Sequence, residues 1–187
     1  LSDVETELAS RLAPAHARLG DHKNARAYYS VAARILQQKS ILSRGKAGGE
    51  QSEAMAAAFL GEGDAARALQ DYKGALEPYQ KAFELLKGRG DETGALEAMG
   101  RIAWVMAEGG NLPRGVEILT EIFQHYERLG DRAGSARTLT DLGRFHMLVG
   151  DYANALAYLE IASRAQLSRD DPKGTAGALS LLGRLYS

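Results

Sequence analysis

The residues of this chain with chemistry to offer are its four histidines, its scattered carboxylates and arginines, and a single tryptophan. A metal centre would need histidines or carboxylates at ligand spacing. His16 and His146 instead hold the same place in two distant copies of one repeated pattern, which marks them as packing residues. His22 falls in a turn, and His125 has no second histidine at ligand spacing on its helix. Cysteine is absent, which excludes disulfides and thiol nucleophiles and fits a reducing compartment. Gly61-Glu62-Gly63 follows no strand and has no third glycine in place, so it is no dinucleotide fingerprint. Arg89-Gly90-Asp91 spells an adhesion tripeptide, but 40 residues on the chain reads Leu129-Gly130-Asp131, a helix stop followed by a cap. The remaining carboxylates spread over helix surfaces without pairing. No constellation supports catalysis, a cofactor or a metal ion, and the chain is expected to bind rather than to catalyse.

Composition narrows the partners. The chain has 187 residues, 45% hydrophobic and 25% charged, with 23 Lys+Arg against 24 Asp+Glu. A net charge of -1 gives no global field to draw the chain onto nucleic acid or an anionic membrane. No apolar run approaches the roughly 20 residues that span a bilayer. These features predict a cytoplasmic protein with neither nucleic acid nor membrane as partner. The chain opens on Leu1 and stops half-way through a repeat, as a piece of a longer protein would.

The elements that position these residues are read from a repeat. LLGRLY at 181–186 echoes DLGRFH at 141–146, and a period of 40 residues marks a stacked helical array. Two kinds of turn recur: Gly20-Asp21, Gln70-Asp71, Gly110-Asn111 and Gly150-Asp151 within units, and Gly90-Asp91, Gly130-Asp131 and Asp170-Asp171-Pro172 between them. Glycine closes one helix in the left-handed conformation, and Asp or Asn caps the next. Between turns the apolar spacing is helical, as in Ala155, Leu156, Leu159 and Ala162. It predicts nine helices over 3–19, 22–43, 50–69, 72–88, 91–109, 112–129, 131–149, 152–168 and 172–187, with no strand. Each pair buries too little alone and is stabilised by stacking on its neighbours. Pro14 should kink the first helix or delay its start.

The unit resembles the tetratricopeptide repeat (TPR). The fourth copy carries Leu142, Gly143, His146, Gly150, Asp151, Tyr152, Ala155, Leu159 and Ala162 at that family's signature places. The first copy (Leu12, Ala13, His16, Gly20, Ala25, Tyr29, Ala32) and the third (Ile102, Ala103, Met106, Gly110, Gly115, Leu119, Ile122) fit more loosely, and the second puts Glu62 where an apolar residue belongs. The resemblance implies an all-α, right-handed superhelical solenoid of antiparallel helix pairs. A single array would hold repeats at 3–44, 50–89, 91–129 and 131–169 and a terminal half-repeat at 172–187. The 40-residue period exceeds the family's common length of about 34. It is similar to the units of bacterial sensors, regulators and scaffolds. Ten extra residues, lying within 39–50, are expected to be an overlong helix with a slack linker rather than a special binding loop.

The resemblance also places the groove. First helices of such pairs line a concave face, where this chain would set Asp64, Trp104, Arg144 and Arg184 in one column. Thr140 and Ser180 fall in a neighbouring column of small residues, and Glu97 and Arg137 in a third. A protein or peptide segment would lie there, with an acidic stretch at the arginine end and the opposite preference at Asp64 and Glu97. The competing view is a surface network in which the arginines only neutralise Asp141, Glu108 or Glu97. Thr140 and Arg144 replace the Lys and Asn that the family's chaperone-tail clamps use, which argues against that ligand. A ligand-sensing arm of a larger bacterial regulator is the alternative reading. RNA binding is disfavoured by the period and the charge. The C-terminal helix lacks a covering partner, and self-association is expected there.

Overall fold

The computed structural model describes residues 2–42, 49–168 and 171–186. Among them are nine α-helices and no strand: α1 (Ser2–Arg18), α2 (His22–Leu42), α3 (Gly49–Ala68), α4 (Tyr72–Gly88), α5 (Glu92–Glu108), α6 (Leu112–Leu129), α7 (Arg132–Leu148), α8 (Tyr152–Leu167) and α9 (Pro172–Leu185). The punctuation works as the sequence predicts. Gly20, Gly90, Gly110, Gly130 and Gly150 all adopt positive φ, and Gln70 takes the same conformation at φ 60°. The residue after each then caps the next helix. Asp71 accepts the backbone N–H of Gly74 at 2.9 Å, Asn111 that of Arg114 at 3.3 Å, and Asp151 that of Asn154 at 3.2 Å. Helix α1 begins at Ser2 and runs through Pro14, so the late start is ruled out; α4 likewise contains Pro78, which is buried. Helix α2 is the longest, at 21 residues. The linker expected beyond it, at 43–48, lies outside the described residues.

The chain divides into two units, Leu1–Val105 and Met106–Ser187. In the first, α1 packs on α2, α2 on α3 and α3 on α4. Its core is built largely of alanine, which lets helix backbones approach: Ala9, Ala32, Ala33, Ala58 and Ala82 surround Leu36, Met55 and Phe59. A second cluster joins Ala66, Ala75, Tyr79 and Val105. Contacts across repeats are also polar. Arg26 donates to the cap residue Asp71 at 2.8 Å, so the turn between α3 and α4 is tied to α2. Glu62, out of place in the repeat pattern, is half-buried. Burial pushes its carboxyl up, while a hydrogen bond from Ser30 and the charges of Arg26 and Lys81 hold it down.

In the second unit α7 packs on α6 and α8, and α9 on α8 and α7. Leu119, Leu142, Phe145 and Leu159 are its largest fully buried side chains. Gly143 faces Leu159 so closely that an added Cβ would lie 2.6 Å from Cγ of that leucine. His16 and His146 fill aromatic packing slots, with rings 5.2 Å from Tyr28 and Tyr158. Their Nδ1 atoms meet Asp21 and Asp151 at 2.9 and 3.0 Å.

Candidate groove site

All eight residues expected on the groove are accessible: Asp64, Glu97, Arg137, Arg144, Ser180 and Arg184 are exposed, Trp104 and Thr140 half-buried. In the first unit the structure brings several of them together on α3 and α5. Two glycines make this arrangement. The ring of Tyr29, from α2, lies over Gly61, and the ring of Tyr79, from α4, lies over Gly63. A Cβ at either glycine would collide with the ring, so α3 is notched on both sides of Asp64. Tyr79 reaches through its notch and donates its hydroxyl to Asp64 Oδ1 at 2.6 Å. Arg101, one turn after Glu97 on α5, donates Nε to the same oxygen at 3.2 Å and Nη1 to the Glu97 carbonyl at 3.4 Å. The guanidinium of Arg67 stands 5.5 Å from the Trp104 ring centroid, covering one face of the indole with a cation–π contact.

The electrostatics follow from that packing. Burial, then the hydrogen bond to Asp64, drives the Tyr79 hydroxyl far above the ordinary tyrosine range. Burial and the Asp64 charge also raise Tyr29, against the pull of Arg18. Both hydroxyls are therefore protonated donors at neutral pH. The charge balance differs from the sequence-based expectation that Asp64 reverses the sign of this end. Its carboxylate is already matched by Arg101, with Arg18 and Arg67 also contributing charge near the two tyrosines.

In the second unit Arg137 and Arg144 project from α7 and Arg184 from α9, each engaging a neighbouring group. Thr140 turns inward: its hydroxyl donates to the Ala136 carbonyl at 3.1 Å and receives Gln166 Nε2 at 3.2 Å. Its role is to join α7 to α8. Sequence reasoning missed Tyr29, Tyr79, Arg18, Arg67 and Arg101. The signal that could have found them is the Gly-x-Gly spacing in α3 opposite a tyrosine at the same place in α2 and α4. Among the described residues no group of His, Asp and Glu could hold a metal ion, and no helix is long and apolar enough to cross a membrane.

No protein-family model and no curated protein matches the chain. Solved structures do match its fold, and they are tetratricopeptide-type helical arrays. A STAND-class signal transduction ATPase with a tetratricopeptide repeat sensor, from Pyrococcus horikoshii, superposes with a TM-score of 0.80 at 16% identity, over 97% of this chain and 27% of that one. Aspartyl phosphate phosphatase F of Bacillus subtilis gives 0.77 at 11% identity, over 94% and 44%. The TPR-like repeats of a kinesin light chain from Podospora anserina give 0.66 at 16%, over 97% and 86%. The chain thus has the all-α TPR fold, and it spans less than half the length of the first two of these proteins.

Proposed function

We propose that this chain is a protein-interaction module that holds a peptide or protein segment along the first helices of its repeats, working as one array. The observation that supports this reading is the half-exposed Trp104, held face-on by Arg67 beside the Asp64–Arg101 pair. Large aromatic and arginine side chains at an accessible surface are the usual anchors of recognition. The exposed arginines of α7 and α9 extend the reading to an acidic ligand segment in that part of the chain. Binding rather than catalysis, in the cytoplasm, with no nucleic acid or membrane partner, completes the proposal.

An array of blocked peptides probed with the 187-residue chain tests it. Bound peptides enriched in Asp or Glu, weakened as salt rises and lost in a folded Arg144→Ala/Arg184→Ala variant, support it. Unchanged binding by that variant sinks the acidic preference, and no bound peptide at all sinks the groove. A second reading, the sensor arm of a larger regulator, is favoured by the likeness to the STAND-class protein, whose repeats are a sensor. The same groove would then report its ligand to the rest of the protein.

Helix α9 is the expected place of self-association. Leu179 and Tyr186 are 54% and 72% exposed, and Gly183, the counterpart of Gly63 and Gly143, meets nothing within 4 Å. Light scattering should show a mass above the monomer that falls in Leu179→Ser/Tyr186→Ser. A strict monomer at high concentration would reject the idea.

A further inference from the structure

Around Asp64 the hydrogen-bonding groups are only half used. Both of its donors, the Tyr79 hydroxyl and Arg101 Nε, converge on Oδ1, and Oδ2 accepts nothing among the described residues. On the other side of Asp64, the Tyr29 ring is fixed over Gly61, and its hydroxyl makes no hydrogen bond among the described residues. Arg101 spends Nε and Nη1 on Asp64 and the Glu97 carbonyl and has Nη2 to spare. An unused acceptor on Asp64 thus has as neighbours the Tyr29 hydroxyl, which feels its charge and whose ring is held over the Gly61 notch, and Arg101, held by its bonds to Asp64 and the Glu97 carbonyl.

We propose that Tyr29, Asp64 and Arg101 form a subsite for an uncharged amide, whose N–H is received by Asp64 Oδ2 and whose carbonyl is held by the Tyr29 hydroxyl and Arg101. The proposal rests on the groove reading and specifies what the first unit recognises in the ligand. Charge decides against the other ligand chemistries. A carboxylate would be repelled by Asp64 at contact distance, and an ammonium or guanidinium would meet Arg101 directly, with Arg18 close by. An amide carries donor and acceptor together and leaves neither Asp64 nor Arg101 with a like-charged neighbour. Its hydrogen bonds to the two ionised groups are charge-assisted, the stronger kind. The subsite thus differs in kind from the exposed arginines of the second unit: it reads hydrogen-bond pattern, and they read sign.

The amide could come from the ligand's main chain or from an Asn or Gln side chain, and the experiment separates the two. A peptide bound on the array is resynthesised with each peptide bond in turn replaced by an ester, and with each Asn or Gln replaced by Leu or Met. Affinities are measured by fluorescence anisotropy with the full chain and with Tyr29→Phe and Asp64→Asn. Tyr29→Phe removes only an unpartnered hydroxyl, and Asp64→Asn keeps an acceptor for Tyr79, so both should stay folded by circular dichroism. One replacement should weaken binding to the parent at least about tenfold and cost the two variants little, the mark of a direct pair in a double-mutant cycle. An ester with this effect identifies the main chain, and a side-chain replacement identifies Asn or Gln. The proposal is overturned if both variants bind every peptide as the parent does, or if the ligand group coupled to Asp64 is charged. Binding that is lost in Arg144→Ala/Arg184→Ala but indifferent to Tyr29→Phe and Asp64→Asn would remove this subsite alone. A parent chain that binds no peptide would remove the groove reading and the subsite together.

Discussion

Helices α3 and α7 occupy equivalent places 80 residues apart, yet they are packed by different chemistry. Both use a glycine where the helix crosses its partner. At Gly63 the partner is the ring of Tyr79, and at Gly143 it is the branched end of Leu159. The leucine ends in the core without a polar group to offer, and Arg144 beside it is exposed. The tyrosine is buried to the same degree but carries a hydroxyl out to Asp64. One repeat frame thus gives a hydrogen-bonded surface in one unit and a charged one in the other. A buried packing position can set the character of a surface that it does not belong to.

The glycine notches offer the hardest test of that comparison. Leucine at Gly63 or Gly143 must displace a fully buried side chain, and overpacking of this kind costs about 1–3 kcal/mol. Ala155→Leu should behave alike, since Ala155 is fully buried and its carbonyl would lie 3.3 Å from a Cβ at Gly143. Gly183 holds the same place in α9 but faces open space, so Gly183→Leu should cost nothing and gain several tenths of a kcal/mol, up to about 0.8, from helix propensity. Urea melts of the four variants check this. Equal losses at Gly143 and Gly183 would show that the small residues are not there for helix crossing.

A smaller effect should come from the turns that the first and fourth repeats share. In each, a histidine meets the helix cap: His16 with Asp21, and His146 with Asp151. The hydrogen bond from the Asn154 side chain, then that of its backbone N–H, then His146, hold the Asp151 carboxyl below its usual value. A depressed folded-state pKa gives stability that is whole above the ordinary value of about 3.9 and is lost as pH falls through the lower one. Asp151→Ala should therefore lower Tm by a few degrees at neutral pH and flatten the loss of Tm below about pH 4. Thermal melts from pH 2 to 7 measure both, and an unaltered acid limb would mean that other carboxylates govern it.

Much of this was legible in the sequence because it is local. Each cap needs only a Gly followed by Asp or Asn, and each helix only its own periodicity, so all nine expected helices are found with ends shifted by two residues at most. That the eight positions expected on a groove would be accessible was legible through the repeat frame. Their interactions were not. Arg101 meets Asp64 across 37 residues of sequence, at a place set by the approach of α5 to α3, and Thr140 faces Gln166 across 26. Such contacts depend on side-chain reach between helices, which a period of 40 does not encode. Glu62 looked like a flaw in the pattern, and it is tolerated because Ser30, Arg26 and Lys81 surround it.

The smallest test concerns a turn whose left-handed residue is not glycine. Five helix ends use glycine at φ between 68° and 97°, whereas α3 ends on Gln70 at φ 60°. The left-handed conformation crowds the Cβ of an L-residue at a cost of roughly 1–2 kcal/mol, which glycine avoids. Glycine gives back part of that gain because its unfolded chain has more freedom to lose. Gln70→Gly should therefore stabilise the chain by about 0.5–1 kcal/mol, and Gly150→Ala, where a Cβ meets nothing within 4 Å, should destabilise it by a similar amount. The two substitutions are mirror images at equivalent turns, so their effects in urea should be opposite in sign. If Gln70→Gly also destabilises, the Gln70 side chain contributes more at that turn than its backbone strain takes away.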